Sequence, residues 1–257
     1  VKIRIFISTV CFVFCSSLFT SCATKKDLLY INAAPNTSAT NINWSEMYIQ
    51  PNDIVSVKIT AESVDMAAAY NIASSQGALQ GGQMLLQGYL VTNNGTINIP
   101  VLGQQNIGGL TLLQAEKQIQ KELIDKDYLK NPVVVCRLLN AKCTVLGEVN
   151  TPGTFTFFEN NLTLLQALGL AGDLTINGVR KKITIIRTEK GVQSYGTIDL
   201  TKNDWFDTPF YFVKPNDVII VDPNTAKVKS SGIITNPASL ISLFSILLSS
   251  YIIIKNI

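Results

Sequence analysis

Chemistry in this chain would have to come from its acids, because it carries 18 aspartates and glutamates and no histidine. Histidine titrates near neutrality and is the commonest metal ligand, so the usual general base and the usual metal site are both missing. Four acids stand out by their neighbours. Asp53 follows Pro51-Asn52, Asp217 follows Pro215-Asn216, and Asp173 follows Gly172, all turn-like settings in which a carboxylate caps backbone amides. Glu148 lies between Gly147 and Val149, just before Pro152-Gly153, with Arg180 or Arg187 as candidate ion partners. Glycoside hydrolysis needs only two well-placed carboxyl groups, which leaves that chemistry open, yet none of these acids sits in a recognisable catalytic frame. Gly77, Gly81 and Gly82 fall in a Gln/Gly/Ala/Ser stretch, Ala67 to Gln87, that reads as a mobile surface loop instead of a phosphate cradle. The expectation is a protein that is not an enzyme and takes neither cofactor nor metal.

Binding chemistry is the next question. Phe155, Phe157, Phe158, Trp205, Phe206, Phe210, Tyr211 and Phe212 concentrate in the second half of the chain and read first as core and contact packing, second as a platform for sugar rings. Removing Lys2 and Arg4 from the 21 basic residues leaves 19 against 18 acids, so no basic field exists to attract nucleic acid or anionic lipid. Of the five cysteines, Cys22 has the most telling context. Lys2 and Arg4, an apolar run from Ile5 to Phe19, and small Thr20-Ser21 precede it, and residues 1–21 therefore resemble a bacterial lipoprotein signal with Cys22 as the lipid-bearing residue. Cys136 and Cys143 flank Leu139-Asn140, where a two-residue hairpin would set them opposite each other; buried thiols are the favoured reading, because cross-strand disulfides are strained.

The elements that must position these residues come in pairs. Leu110-Thr111-Leu112-Leu113-Gln114-Ala115 recurs letter for letter at Leu162 to Ala167, each copy after a Val-Leu-Gly at Val101 to Gly103 and Val145 to Gly147. Pro51-Asn52-Asp53 followed by Ile54-Val55-Ser56-Val57 is echoed by Pro215-Asn216-Asp217 followed by Val218-Ile219-Ile220-Val221. Two different motifs repeating once each argue for two related units. Alternating β-branched residues predict strands over Ile54 to Ile59 and Val218 to Val221, and Asn93-Asn94-Gly95 predicts a hairpin between Tyr89–Thr92 and Thr96–Pro100. Thr111 is a plausible N-cap for a helix reaching about Tyr128 with Leu112, Leu113, Ala115, Ile119 and Leu123 on a helical period; a second helix runs from Thr163 to Leu170 and ends at Gly172. Further strands are expected at Val133–Leu138, Lys142–Leu146, Thr154–Phe158, Lys182–Arg187 and Tyr195–Leu200. This is an α+β pattern.

Four stretches, Tyr48 to Asp53, Gly95 to Gly103, Val145 to Gly153 and Ala171 to Thr175, resemble the signature segments of the outer-membrane polysaccharide export lipoproteins in their short, Bacteroidetes-like form. The resemblance runs from about Tyr48 to Pro223. It implies a signal peptide (1–21), a flexible tether (22–44), a polysaccharide export domain (45–140), a soluble-ligand-binding β-grasp (SLBB) domain (141–223), a linker (224–235) and a C-terminal membrane-spanning helix (236–255). The fold it implies is α+β, two small β-grasp-like units in tandem followed by that single transmembrane helix. It also implies a ring-shaped homo-oligomer held in the outer membrane by a lipid and by its helices. Its body would be mainly periplasmic, with capsular polysaccharide or exopolysaccharide as cargo. An inner-membrane chain-length regulator or tyrosine kinase is the implied partner.

The C-terminal run fits such a role. Asn236 is a good N-cap and Pro237 suits the first helical position; from Pro237 to Ile254 the run makes about 27 Å of helix at ~1.5 Å per residue. Ser239, Ser242, Ser245 and Ser249 fall within an arc of roughly 120°, with Leu240, Phe244, Leu247, Leu248 and Tyr251 opposite. Such a stripe lines water or lets helices pack closely, and both uses need neighbours. Two rival readings carry different expectations. A membrane-anchored glycan-binding module would be a monomer with measurable sugar affinity, and an assembly scaffold would dock on the inner-membrane partner without forming the pore.

Overall fold

The computed structural model describes residues 27–31, 42, 44, 46–72, 87–189 and 191–230, together with 242, 245, 246, 249, 250 and 253. It holds twelve strands and four helices longer than one turn among these residues, arranged as several small sheets around two separate cores.

The first core belongs to residues 46–139. Strand β1 (Ile54–Thr60) lies between β2 (Tyr89–Leu90) and β5 (Val133–Leu138), antiparallel to both, and turns Val55, Val57 and Ile59 inward. Helix α1 (Val64–Ala68) follows β1. The side-chain amide of Asn71, just beyond it, accepts from the Ile59 amide at 2.8 Å and donates to the Ile59 carbonyl at 2.8 Å, standing in for a missing strand. β3 (Thr96–Ile99) and β4 (Gly103–Asn106) form their own ladder. Helix α2 (Leu112–Asp125) buries Ala115, Ile119 and Leu123 at four-residue spacing, as an amphipathic helix must. The expected Tyr89–Pro100 hairpin needs correcting. Its turn forms, with the Gly95 amide donating to the Thr92 carbonyl, but β2 leaves to pair with β1 and β3 with β4.

The second core belongs to residues 141–223. Its five-stranded sheet runs β10 (Val192–Ile198), β9 (Gly178–Glu189), β12 (Val218–Pro223), β6 (Lys142–Gly147), β7 (Gly153–Thr156), antiparallel except for the parallel β12–β6 pair. Helix α3 (Leu164–Leu170) buries Leu164, Ala167 and Leu168 and is entered through β8 (Leu162–Thr163), which pairs with β11 (Phe212–Val213). Helix α4 (Thr225–Ser230), begun by the Asn224 side chain accepting from the Lys227 amide, occupies half of the expected linker.

The repeat seen in the sequence is a repeat in space with its order exchanged. Tyr48, three residues before Pro51, bridges Thr111 at the start of α2; Phe212, three residues before Pro215, pairs with Thr163 at the start of α3. The strand after each helix, β5 or β9, pairs antiparallel with the strand after each Pro-Asn-Asp turn, β1 or β12. In the first unit the turn and its strand come before the helix, in the second they come after it. Both helices carry a complete capping box, Thr111 with Gln114 and Thr163 with Gln166.

Cys136 and Cys143 do not face each other across a hairpin. β5 and β6 belong to different sheets, so each cysteine is a buried free thiol in its own core, and burial pushes their pKa values up to about 12 and about 11. Asn140 is the hinge between the units: its side chain accepts from the Ile54 amide and donates to the Asn52 carbonyl.

Two pieces of the expected flexible tether are held in place. Tyr30 packs against the second core, donates its hydroxyl to Asp173 Oδ1 and lies under the Arg180 guanidinium at 5.3 Å; the Ile31 amide donates to the Leu200 carbonyl, and Asp27 pairs with Lys181. Trp44 stacks on Phe212 with ring centroids 5.6 Å apart. The chain therefore crosses the second unit before it builds the first.

No helix among the described residues is long and apolar enough to cross a membrane. Most of the run expected to span, including Ser239, lies outside them, as do residues 1–26 with Cys22. Ser242, Ser245 and Ser249 are helical and exposed, and the Ser249 hydroxyl donates to the Ser245 carbonyl at 2.8 Å, a back-bond that satisfies a hydroxyl within its own helix.

Candidate functional site

The aspartates singled out in the sequence are spent on turns. Pro51-Asn52 and Pro215-Asn216 occupy the centre of type II turns, since Pro fixes the first position and Asn52 and Asn216 take φ of 70° and 67° at the second. Each turn is closed twice in the same way. The Asp53 amide donates to the Gln50 carbonyl and Asp53 Oδ2 accepts from the Gln50 amide at 2.8 Å; Asp217 and Lys214 repeat both bonds, the second also at 2.8 Å.

Their electrostatics differ. Burial pushes Asp53 up to about 6, offset in part by the Gln50 amide. Asp217 is fully buried and is also raised by burial, opposed by the Arg187 guanidinium, which grips it through Nε at 3.0 Å and Nη2 at 2.7 Å. Arg187 donates further to the Pro209 and Phe212 carbonyls, both at 2.7 Å, and lies over the Phe210 ring. It thus fastens β9 to the segment that carries β11 and the turn. This partnership was invisible in the sequence, where Arg187 stood as a candidate for Glu148; a spacing of thirty residues carries no periodic signal.

Glu148 instead accepts from the Thr175 hydroxyl at 2.8 Å, with Lys227 at 3.9 Å. It belongs to a knot in which the stretch after Gly147 meets the stretch after Ala171. Val149 bridges Leu174, the Asn150 amide donates to the Asp173 carbonyl, the Thr151 amide to the Ala171 carbonyl and the Thr175 amide to the Glu148 carbonyl. Gly147 at φ 92° passes so close to β12 that a Cβ would fall 2.0 Å from the Val221 carbonyl oxygen. Gly172 and Asp173 both turn left-handed, and Asp173 Oδ1 accepts from the Leu174 amide. Pro152 and Gly153 lead from the knot into β7.

Among the described residues no group of three or more metal-ligating side chains exists. Trp205 is buried with Phe206 and Tyr211 packed against it and its Nε1 donating to the Lys202 carbonyl, which is core packing and offers no platform to a sugar. A cleft of about 480 Å³ lies where the two units meet, lined by Met47, Leu112, Arg137, Leu139, Phe158, Glu159 and Asn160 among others, and a second of about 420 Å³ lies in the first unit between β1 and α1. Phe158 is 66% exposed in the first of these. Strand β10, at the edge of its sheet, shows Val192 and Tyr195 to solvent, whereas at the edge of β5 the Cys136 amide donates to Glu116 Oε1 of α2 at 2.8 Å.

Comparison with known families decides what such a turn-built body is. A profile described as polysaccharide biosynthesis/export protein matches residues 43–139, and one for the SLBB domain matches residues 142–197. The chain belongs to the polysaccharide export family. Members of that family are transport components and not enzymes. Two relatives bear the name EPS I polysaccharide export outer membrane protein EpsA. The one from Ralstonia solanacearum is 25% identical over 185 residues, covering 70% of this chain and 47% of its own. The other, from Ralstonia nicotianae, is 26% identical over 201 residues, covering 75% and 52%. The chain spans about half the length of these relatives. The first matched segment coincides with the first core, and the second covers the second core from β6 to β10, stopping short of β11 and β12.

Proposed function

We propose that this chain is a subunit of a homo-oligomeric conduit that exports capsular polysaccharide or exopolysaccharide across the outer membrane. The observation that carries the reading is the pairing of a polysaccharide export unit with an SLBB unit in a body whose three motif aspartates hold backbone turns and whose motif glutamate holds Thr175. Such a body is rigid and chemically quiet, which suits a wall better than an active site. The shared capped helix and Pro-Asn-Asp turn support reading the first unit as a second version of the β-grasp plan. Cys22 would carry the lipid, and residues 236–255, with Ser239, Ser242, Ser245 and Ser249 on one face, would supply each subunit's share of the passage. The open edge of β10 supports a neighbour of the same kind, because an exposed strand edge seeks a partner. The cleft between the units, with one cation, one anion, an amide and one aromatic face, would touch a hydroxyl-rich polymer only weakly, as transport requires. The inner-membrane chain-length regulator or tyrosine kinase is the proposed upstream partner.

The full chain extracted in mild detergent should show by light scattering the mass of a closed oligomer, and a chain truncated after Thr235 should dissociate or loosen. A detergent-bound monomer in both cases would sink the conduit reading in favour of an anchored glycan-binding module.

A further inference from the structure

The cleft between the units holds a cation that the fold does not use. Arg137 lines it from β5, yet among the described residues no ion pair reaches its guanidinium. Glu159, the acid on the same cleft, is turned back on its own backbone, where Oε2 accepts from the Phe158 amide at 3.1 Å. A second cation of the same kind stands nearby. Arg137 lies directly opposite Ser56, and Lys58 comes two residues further along β1, so both project from the outer face of the sheet, away from buried Val57 and Cys136. Lys58 has no ion pair among the described residues either, and none of the residues that β1, β2 and β5 turn outward is acidic.

The chemistry of this arrangement is selective. A guanidinium is a planar fork matched to the two oxygens of a carboxylate, and it keeps its charge at every working pH. Left uncommitted in a cleft, it asks for an anion from outside. Phe158, 66% exposed on the same cleft, offers a flat apolar face on which a ring can stack, with Met47 and Leu112 as apolar lining. A volume of about 480 Å³ is that of a small-ligand site. An acidic peptide would also meet the cations, but a run of carboxylates on a backbone brings no ring to the Phe158 face.

We propose that this cleft is a subsite for an acidic sugar of the uronic acid class. The sugar carboxylate meets the guanidinium of Arg137, its ring lies on Phe158, and Lys58 receives the carboxylate of the next acidic unit along the polymer. Glu159 cancels the charge of Arg137 at longer range, so the attraction acts only at contact and each unit is held briefly and released. The role of the subsite as a contact on passing cargo rests on the conduit reading above.

The full chain in mild detergent is titrated with a trisaccharide of galacturonic acid and with the same trisaccharide reduced at its carboxyl groups, and binding is read by saturation-transfer NMR at the ring protons. The expected result is millimolar binding of the acid, several-fold tighter than that of the neutral form, with the difference shrinking as salt is raised. Arg137→Gln should erase the preference and leave neutral binding in place, Lys58→Gln should reduce the preference, and Phe158→Ala should weaken both sugars; circular dichroism checks that each variant is folded. Equal binding of the two trisaccharides, or a preference that survives Arg137→Gln, overturns the subsite. Displacement of the acid by triglutamate as readily as by the trisaccharide itself overturns the sugar in favour of an acidic peptide. Light scattering on the same sample reads the conduit separately: an acid preference in a monomer keeps the subsite and removes the conduit, and a closed oligomer without the preference removes the subsite alone.

Discussion

Asp53 and Asp217 close identical turns, yet no ion pair reaches Asp53 among the described residues while Arg187 grips Asp217. The consequence is a pH dependence located in the first unit. With a folded pKa of about 6 against ~3.9 unfolded, Asp53 contributes stability that is fully present below about pH 4 and is lost as pH rises through about 6. The swing is on the order of 2–3 kcal/mol, and Asp53→Asn, which keeps an acceptor for the Gln50 amide, should flatten it; urea unfolding at pH 4.5 and pH 7.5 checks this, and an unchanged slope refutes it. Arg187→Met should cost about 3–5 kcal/mol because it strands a buried carboxylate. Adding Asp217→Asn to that variant should recover part of the loss, since the orphaned charge is gone while the turn keeps its acceptor; strictly additive losses would deny that the charge is what matters.

At the level of elements, the two capping boxes give the cleanest comparison. Thr111→Ala and Thr163→Ala should each cost about 1 kcal/mol in thermal or chemical unfolding. The second is expected to hurt more, because α3 has only seven residues over which to share the loss and α2 has fourteen. These helices were legible in advance: Thr-x-x-Gln is a local signal, and Ala115, Ile119 and Leu123 spell out the buried face at a fixed spacing. The Pro-Asn-Asp turns were legible for the same reason, since their geometry is decided within four residues. Strand partnership was not. Asn93-Asn94-Gly95 announces a turn, but nothing local says that Tyr89 will pair with Val55 and Thr96 with Asn106. Leu139-Asn140 between two strands looks like a hairpin tip, and the pairing of β5 with β1 and of β6 with β12, 74 residues further along the chain, shows it to be a joint between cores. Tyr30 and Arg187 were missed because a single long-range contact leaves no pattern in its own neighbourhood.

For the whole molecule, two cores joined at Asn140 should respond separately to damage. Gly147→Ala, which drives a Cβ into the Val221 carbonyl, should collapse the second unit; amide exchange should then show protection lost across β6, β9 and β12 while β1 and β5 keep theirs. Equal loss in both would mean that the units unfold as one. The exchanged order of helix and turn has a further consequence for a chain made and threaded from its N-terminus. The first unit has every strand of its sheet once β5 is complete at Leu138, whereas the second lacks its central strand until β12 arrives at Val218–Pro223. Until then β6 and β9 have no common neighbour, and Arg187 waits for Asp217. One half of the body can therefore set while the other stays pliable until β12 has emerged, so the unit that Tyr30 and Ile31 pack against acquires its shape well after the first.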